Sequence, residues 1–413
     1  MTFAYHGGEL HGERVPLTEI ARRFGTPCYV YSRAALEGAY REFDAALEGL
    51  PHLVCYAMKA NSNLAVLSLF ARLGAGFDIV SGGELARVKA AGGDPGRVVF
   101  SGVGKTESEM AQALADGILC FNVESAAELE RLNEVAGRVG KRAPVSFRVN
   151  PDVDPRTHPY IATGLKESKF GIAFDEAPAL YRRAAAMRHI AVHGLDIHIG
   201  SQITELDPYR EAAVKVLDLV DRLRADGIPL AHVDLGGGLG IRYRDEDPVA
   251  LASYALMLKE LFAGRPETLV LEPGRRLVGS AGVLLTRVEY LKPGAHKSFA
   301  IVDAAMNDLL RPALYAAWHP VDPVRPHAGD ERRWEIVGPV CESGDFLAHD
   351  RPLCLAAGDL LAVGAAGAYG MAMSSNYNSR PRACEVLVDD SQAHLVRRRE
   401  SVDALYALEN PLP

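Results

Sequence analysis

Residues 53–80 read LVCYAMKANSNLAVLSLFARLGAGFDIV, and they show the pattern from which the fold is predicted. A short apolar run, typical of a buried strand, is followed by apolar residues at helical spacing and then by a second short run. The alternation recurs along the chain, with strand-like runs at 53–58, 76–80, 98–101, 118–123, 145–149, 192–199, 232–235 and 268–271. Eight such units predict an α/β protein built on a parallel (β/α)8 barrel.

After residue 282 the pattern changes to strand-like runs without helices between them. These runs lie at 283–291, 298–302, 334–337, 360–363 and 384–388, and they predict a mostly β second domain. The run at 27–31 precedes the first helix, and we expect it to join the β domain. The predicted boundaries are 33–283 for the barrel, and 1–32 with 284–413 for the β domain.

Composition excludes several classes of partner. The chain has 45 Lys and Arg against 53 Asp and Glu, a formal charge of -8, and it has no basic stretch that could follow a phosphate backbone. The longest uncharged apolar stretch, 360–373, is shorter than the roughly 20 residues of a membrane-spanning helix. We therefore expect neither a nucleic-acid partner nor a membrane partner.

The cysteines and the N-terminal residues indicate the compartment. The six cysteines are scattered, without a C-x-x-C pair or zinc-type histidine spacing. The first residues lack the basic start and apolar run of a secretory signal. We expect a cytoplasmic protein with no structural disulfide and no bound metal.

Polar residues stand at the ends of the predicted strands, where the active site of a (β/α)8 barrel lies. They are Lys59 and Asn61, Asp78 and Ser81, Arg148 and Asn150, His198 and Ser201, the glycine-rich 236–240, and Glu272 with Arg275. Because the strands are parallel, we expect these groups to converge on one end of the barrel.

Lys59 follows an apolar strand, where burial would lower its pKa and free the amine to attack a carbonyl. A solvated lysine at a strand end is the alternative. Residues 234–240 (DLGGGLG) offer backbone N–H groups with no side chain in the way, as a phosphate monoester requires; a flexible turn is the alternative. Glu272 could hold a ring nitrogen protonated and Arg275 could clamp a carboxylate, unless the two form an internal ion pair.

Residues 102–106 (GVGKT) resemble the end of a P-loop, whose pattern is G-x-x-x-x-G-K-[ST]. The first glycine position of that pattern is Val99. We therefore predict a barrel loop and a helix start here, and no nucleotide-hydrolase site.

The second domain also carries candidate residues. Arg311 and Tyr315 place a cation and a phenol close together in sequence, and Tyr369 stands in a turn of small residues. Cys341 is either a buried apolar residue or a proton donor. Spacing alone does not decide between these two.

Eight motifs in this order resemble the barrel-type pyridoxal phosphate decarboxylases, known as the fold type III family. They are 56–61 (YAMKAN), 78–84 (DIVSGGE), 198–202 (HIGSQ), 234–240 (DLGGGLG), 272–275 (EPGR), 307–315 (NDLLRPALY), 341–345 (CESGD) and 369–380 (YGMAMSSNYNSR). The resemblance covers nearly the whole chain. It implies a barrel like that of alanine racemase, with a β second domain.

The resemblance implies pyridoxal 5'-phosphate as the cofactor. Lys59 would form a Schiff base with it, His198 would stack on its ring, and Glu272 would pair with the ring nitrogen. The implied cofactor-binding set is Lys59, Asp78, His198, Ser201, Gly238, Gly240, Glu272, Gly274, Arg275 and Tyr369. The implied catalytic set is Lys59, His198 and Cys341, with Cys341 returning a proton to the substrate carbanion.

The resemblance implies meso-2,6-diaminopimelate as the substrate, whose far end carries a carboxylate as well as an ammonium. Arg275 and Arg311 can pair with that carboxylate, Tyr315 can donate to it, and Glu342 can accept from the ammonium. Tyr369 completes the expected substrate-binding set. The resemblance then implies release of CO2 and L-lysine, the last step of lysine biosynthesis by the diaminopimelate route. A same-fold decarboxylase of ornithine, arginine or a carboxylated polyamine is the alternative.

The resemblance also implies an obligate homodimer, in which the β domain of one subunit completes the active site of the other. Cys341 and Glu342 would then act across the interface. Two rival hypotheses are a racemase on a related barrel and a pyridoxal phosphate carrier without catalytic activity.

Overall fold

The computed structural model describes residues 2–154 and 169–413. The chain divides into two compact units. The barrel unit comprises Tyr40–Arg242 and Glu246–Arg276, and the β unit comprises Met1–Ala39, Tyr243–Asp245 and Leu277–Pro413.

The strands of the described residues are, in chain order, β1 Phe3–His6, β2 Glu9–Gly12, β3 Val15–Pro16, β4 Cys28–Ser32, β5 His52–Ala57, β6 Gly76–Ile79, β7 Val98–Phe100, β8 Cys120–Val123, β9 Ala143–Asn150, β10 Ile172–Ala173, β11 Ile190–Asp196, β12 His232–Asp234, β13 Thr268–Leu271, β14 Gly282–Lys292, β15 Ser298–Val302, β16 Val321–Pro323, β17 Arg332–Val337, β18 Phe346–Leu353, β19 Leu360–Val363, β20 Cys384–Asp389 and β21 Gln392–Arg397. The helices are α1 Leu17–Phe24, α2 Arg33–Ala46, α3 Leu64–Arg72, α4 Gly82–Ala90, α5 Glu107–Asp116, α6 Ala126–Arg138, α7 Ala177–Ala186, α8 Asp207–Ala225, α9 Leu251–Leu261, α10 Arg275–Val278 and α11 Arg311–Tyr315.

The barrel unit is a closed ring of parallel strands in the order β5, β6, β7, β8, β9, β11, β12 and β13, with β13 pairing back onto β5. The short β10 pairs with β9 outside this ring. The predicted (β/α)8 barrel is confirmed, and each of the eight predicted runs overlaps one strand of the ring. The run predicted at 192–199 is shorter, because β11 ends at Asp196.

Side-chain caps fix where each of the first barrel strands gives way to a helix. Asn63, Ser81, Thr106 and Ser125 are the N-cap residues of α3, α4, α5 and α6, and each accepts a backbone N–H of the first helical turn. Thr106 belongs to a full capping box with Glu109. These caps hold the loops at the carboxyl ends of the strands in defined positions.

The segment that resembles a P-loop is a barrel loop that leads into α5, as predicted. Lys105 is buried, and its Nζ donates to Gly102 O at 2.7 Å, to Asn122 O at 2.8 Å and to Glu128 Oε1 at 2.8 Å. The ammonium group is used to tie the loop to the next strand and helix. It is therefore not presented to a phosphate.

The β unit is built on a sheet in the order β18, β17, β15, β14, β4, β20, β21, with β19 pairing β14 and β16 pairing β19. The strand β4 pairs antiparallel with β14 and parallel with β20, which confirms that the early run at 27–31 joins this unit. The strands β18 and β21 were not predicted. Their sequences, FLAHDRPL and QAHLVR, mix polar and apolar residues without the continuous apolar run on which the prediction depended.

Among the described residues, every helix is too short or too polar to cross a lipid bilayer.

Candidate active site

Lys59 and Asp78 are neighbours at the ends of two adjacent barrel strands. Lys59 lies in a short turn (Met58–Ala60) after β5, and Asp78 lies in β6, which pairs with β5. Lys59 Nζ donates to Asp78 Oδ2 at 2.7 Å. Asp78 is fully buried, whereas the Lys59 side chain is 37% exposed, so the burial expected for Lys59 is only partial. A buried carboxylate therefore fixes an amine that solvent can reach.

Three buried carboxyl groups lie together at the ends of β11, β12 and β13. Asp196 and Asp234 end β11 and β12 and are directly opposite in the parallel register, and Glu272 follows β13. One oxygen from each residue lies within 4.8 Å of the others. We call these three residues the acid cluster.

Burial raises the pKa of every member of the acid cluster, and the negative charges of neighbouring carboxylates, Asp78 among them, raise it further. The pKa of Asp234 rises to about 7, although the N–H of Gly236 opposes the shift by donating to Asp234 Oδ1 at 2.8 Å. Burial and then the charge of Asp234 hold the pKa values of Asp196 and Glu272 well above their usual range. At neutral pH the cluster therefore retains protons, which can be shared with a ligand.

The acid cluster has hydrogen-bonding capacity to spare. Asp196 Oδ1 and Asp234 Oδ2 are buried, and neither has a hydrogen-bond partner among the described residues. Asn122 Nδ2 donates to Ser101 Oγ at 3.1 Å and approaches Glu272 Oε1 at 3.5 Å. Unpaired buried oxygens are costly, so the cluster is suited to accept an N–H group from a ligand.

His198 lies in the loop after β11, beside the glycine-rich loop. Its Nδ1 accepts the N–H of Gly237 at 3.2 Å, and this bond orients the ring. Burial, followed by the positive charges of Arg148 and Lys59, holds the pKa of His198 well below its usual value. The imidazole is therefore neutral at physiological pH. Its flat, uncharged face is suited to contact an aromatic ligand.

Two glycines of the glycine-rich loop after β12 are packed too tightly for any side chain. A Cβ at Gly237 would lie 2.1 Å from Glu272 O, and one at Gly238 would lie 2.2 Å from Gly200 O. Gly238 also has a φ of +100°, which L side chains rarely adopt. The backbone N–H of Gly240 donates to Ile203 O at 3.0 Å, so this amide is committed to the protein.

The remaining predicted residues of the barrel unit are Ser201, Gly274 and Arg275. Ser201 is half-buried in the loop after His198. Gly274 lies close to the end of β5, since a Cβ there would be 3.1 Å from Ala57 O. Arg275 is buried and begins α10.

In the β unit, Arg311 is buried and held by two aromatic rings. Its Nη1 lies 2.8 Å from His319 Nε2, and its guanidinium lies 4.6 Å from the centre of the Tyr243 ring. His319 is itself fixed by Gly364 O, 2.9 Å from its Nδ1. Tyr315 ends the same short helix, α11, that Arg311 begins. The sequence prediction did not include His319 and Tyr243, because neither lies in the motif around Arg311.

Cys341 and Glu342 lie on an exposed loop of the β unit. The N–H of Cys341 donates to Asn378 Oδ1 at 2.9 Å, and the Tyr377 hydroxyl donates to Glu342 Oε1. The thiol of Cys341 is exposed, which excludes the interpretation of Cys341 as a buried apolar residue. Tyr369 is half-buried in its turn, with a φ of +55°.

The structure also brings in residues that the sequence did not predict for the site. Asp196 ends the mostly apolar β11 and Asn122 lies within the mostly apolar β8, and only the barrel topology places them beside Glu272. A buried polar residue in an apolar strand is the one signal that could have found them. Asn378 and Tyr377 lie within a motif that the resemblance used, but their contacts with the 341–345 loop depend on the tertiary fold.

Comparison with known proteins identifies the family. Residues 33–279 match the model of the pyridoxal-dependent decarboxylase family, pyridoxal binding domain. The chain is 64% identical over 412 residues to diaminopimelate decarboxylase of Pseudomonas aeruginosa, covering 100% of this chain and 99% of the relative. The chain belongs to the diaminopimelate decarboxylase family. A relative of the same name from Vibrio cholerae is 57% identical, covering 98% of each chain.

Solved structures agree with this assignment. Diaminopimelate decarboxylase from Helicobacter pylori, complexed with L-lysine, aligns with a TM-score of 0.92 and 42% identity, covering 95% of this chain and 99% of that chain. Members of the diaminopimelate decarboxylase family are pyridoxal-dependent carboxy-lyases, so the resemblance noted from the eight motifs is confirmed.

The described residues fit pyridoxal phosphate. The acid cluster carries buried oxygens without partners, Asp196 Oδ1 and Asp234 Oδ2, next to a carboxyl group that can pair with a ring N–H. His198 supplies a neutral imidazole face. At Gly237 and Gly238 the loop lies too close to Glu272 O and Gly200 O for a Cβ, so only glycine allows this loop conformation beside the acid cluster.

Proposed function

We propose that the chain catalyses the pyridoxal phosphate-dependent decarboxylation of meso-2,6-diaminopimelate to L-lysine and CO2, the last step of lysine biosynthesis by the diaminopimelate route. The observation that carries this proposal is the meeting of Lys59, His198 and the acid cluster at the carboxyl ends of the barrel strands. Membership in the diaminopimelate decarboxylase family supports the same function.

Three elements of the barrel unit would hold the cofactor. Glu272 would pair with the ring nitrogen, backed by Asp234, and His198 would cover one face of the ring. The phosphate would lie against Ser201, Gly238, Gly240, Gly274 and Arg275, with Tyr369 from the β unit. Because the Gly240 N–H already donates to Ile203 O, Gly240 would contribute its lack of a side chain and not its amide.

The chain's own groups would then bind substrate and move protons. Asp78 holds the Lys59 ammonium at 2.7 Å and can take part in releasing its proton, so that the amine becomes a nucleophile. When bound, the cofactor ring withdraws the electron pair left by the departing carboxylate. Glu272 keeps a proton at the ring nitrogen, and Cys341 delivers a proton to the substrate carbon after CO2 leaves.

Substrate choice would depend on cations at the far end of the site. Arg311 is a buried guanidinium, stacked on Tyr243, and such a group gains most from a carboxylate partner. Arg275, Tyr315 and Tyr369 would bind the substrate with it, and Glu342 would accept from the distal ammonium. Ornithine, arginine and polyamines lack a carboxylate at that end, so this arrangement disfavours them.

A homodimer and a cytoplasmic location complete the proposal. Cys341 and Glu342 are exposed on the β unit of the single chain, as expected of groups that complete the active site of a second subunit. All six cysteines are free thiols, which suits a reducing compartment.

The first experiment is a visible spectrum of the purified protein with pyridoxal phosphate, followed by assays of CO2 release from meso-diaminopimelate, L,L-diaminopimelate and ornithine. We expect an absorption band of bound cofactor and release from the meso compound alone. Release from ornithine at a comparable rate would contradict the substrate proposal. Absence of the band would contradict the cofactor site.

A second experiment tests whether the active site is shared. The inactive variants Lys59→Ala and Cys341→Ala would be mixed in equal amounts and allowed to exchange subunits. If each site combines residues of two subunits, mixed dimers contain one intact site, and about a quarter of the wild-type activity should appear. If each site is built from one chain, the mixture stays inactive.

A further inference from the structure

The β unit also contains a group of chemically active side chains that are not among the residues of the proposed active site. Cys354 Sγ lies 3.4 Å from His327 Nδ1, and His327 Nε2 lies 2.9 Å from Asp359 Oδ2. One imidazole thus contacts a thiol with one ring nitrogen and a carboxylate with the other. This is the arrangement by which proteins activate a cysteine nucleophile.

The carboxylate of this group is fixed by the backbone. Asp359 Oδ2 also accepts the N–H of Ala356 at 2.7 Å. The turn that carries it is anchored to β14, because Gly358 N donates to Val288 O at 2.7 Å and Val288 N donates to Asp359 O at 2.8 Å. Asp359 therefore stands ready to orient the imidazole.

The contacts of His327 define which protons it carries. The hydrogen bond and negative charge of Asp359 raise the pKa of His327, so the charged imidazole is favoured. With Nε2–H donated to the carboxylate, Nδ1–H is directed to the sulfur of Cys354. This contact places a proton donor beside the sulfur.

Cys354 is also accessible. Cys28, Cys55, Cys120 and Cys384 are buried, and Cys341 belongs to the proposed active site. Cys354 is partly exposed, and the side chain of His327 beside it is 41% exposed. Reagents in solution can therefore reach the sulfur.

We propose that Cys354 is a modification site, a reactive cysteine positioned by His327 and Asp359 that forms mixed disulfides with small disulfide compounds. The Cys354 sulfur attacks one sulfur of the small disulfide, and a new S–S bond forms as the old one breaks. The leaving thiolate takes the proton from His327 Nδ1. Cys354 is oxidised and the leaving sulfur is reduced, so no other oxidant is needed.

The test measures the reaction of the full-length holoenzyme with an aromatic disulfide, 5,5'-dithiobis(2-nitrobenzoic acid), at neutral pH. Peptide mass mapping assigns each label to its cysteine. We expect His327→Gln to slow the labelling of Cys354 about threefold or more, because the sulfur loses the imidazole that donates a proton beside it. Asp359→Asn should slow it less, because the imidazole remains.

His349→Gln is the matched control. His349 lies in the same unit and pairs with an acid, since its Nδ1 is 2.6 Å from Glu335 Oε2, and its side chain is 63% exposed. This variant should label Cys354 at the wild-type rate. Cys354→Ser should lose the label and keep its decarboxylase activity. Equal labelling rates in wild type, His327→Gln and Asp359→Asn would overturn the proposal.

Discussion

The barrel unit and the β unit present their chemically active residues in opposite ways. In the barrel unit, Asp78, Asp234 and Glu272 are buried, and their positions follow from parallel strands that end side by side. In the β unit, Cys341 and Glu342 stand on an exposed loop, held by hydrogen bonds from a second loop. The barrel unit therefore buries its polar groups within one chain, whereas the β unit leaves Cys341 and Glu342 exposed.

The difference has a physical cause. A closed parallel barrel brings the carboxyl ends of all its strands to one end, so that polar residues there are forced together and their charges interact. Loops between the strands of the β unit have no such constraint, and a proton donor on them gains a dry environment only through association. Substitutions in the two units should therefore have different effects.

The largest effect should follow from removing the barrel amine. Lys59→Ala should abolish the visible band of bound cofactor and lower kcat at least about 10³-fold, because no other amine is held at that position. Absorbance and CO2 release measure the two effects. Lys89→Ala is the control, since Lys89 also pairs with an aspartate, Asp116 at 2.6 Å, but on exposed helices. A normal band in Lys59→Ala would remove Lys59 from the site.

Glu272→Gln should lower kcat by about 100-fold, because a neutral amide no longer balances a proton on the ring nitrogen. Cofactor should still bind. Glu267→Gln is the matched control: Glu267 is equally buried, precedes the other end of β13, and pairs with Arg265 and Arg224. It should lower stability and leave kcat unchanged. Equal kcat losses in both variants would indicate that buried charge in general, and not the acid cluster, supports the reaction.

Arg311→Ala tests the β unit. Losing a buried partner for the distal carboxylate should cost about 2 kcal/mol or more, so kcat/KM for meso-diaminopimelate should fall about 30-fold. Arg311→Lys keeps the charge but not the bidentate geometry of the guanidinium, so its kcat/KM should lie between those of wild type and Arg311→Ala. Arg351→Ala is the control, since Arg351 is a buried cation stacked on Trp318 in the same unit. An unchanged kcat/KM in folded Arg311→Ala would separate Arg311 from the substrate.

The sequence predicted the barrel better than the β unit, for reasons visible in particular residues. Eight short apolar runs with helical spacing between them leave few alternatives to a barrel, and the same topology put Lys59, Asp78 and Glu272 at one end. Mixed strands such as β18 gave no periodic signal. The link between Cys341 and Asn378 joins residues on separate loops, and no local pattern encodes such a contact.

The free energy of unfolding should depend on pH through the acid cluster. Burial raises the pKa of Asp234 to about 7 in the folded apoprotein, so the folded chain binds more protons than the unfolded chain between about pH 4 and pH 7. The contribution of Asp234 to the free energy of unfolding is therefore lost as the pH rises through this window. Asp234→Asn removes this penalty. Its stability relative to wild type should improve by about 2.6 kcal/mol between pH 5 and pH 8, measured by urea unfolding of the apoproteins.

Asp308 in the β unit provides a matched control for Asp234. Asp308 is also buried, accepts the N–H of Ala305 at 3.0 Å, and has its pKa raised to about 6. The folded chain loses the proton of Asp308 about one pH unit below that of Asp234. The free energy of unfolding of Asp308→Asn should therefore increase by only about 1 kcal/mol relative to wild type between pH 5 and pH 8. Using differences from wild type cancels the opposing effect of His198 and other histidines of lowered pKa, which lose protons in the same range. Equal pH profiles for both variants would mean that the acid cluster raises the pKa of Asp234 no more than the surroundings of Asp308, which include Asp303 and Arg380, raise the pKa of Asp308. The contrast between the two units would then rest on exposure alone.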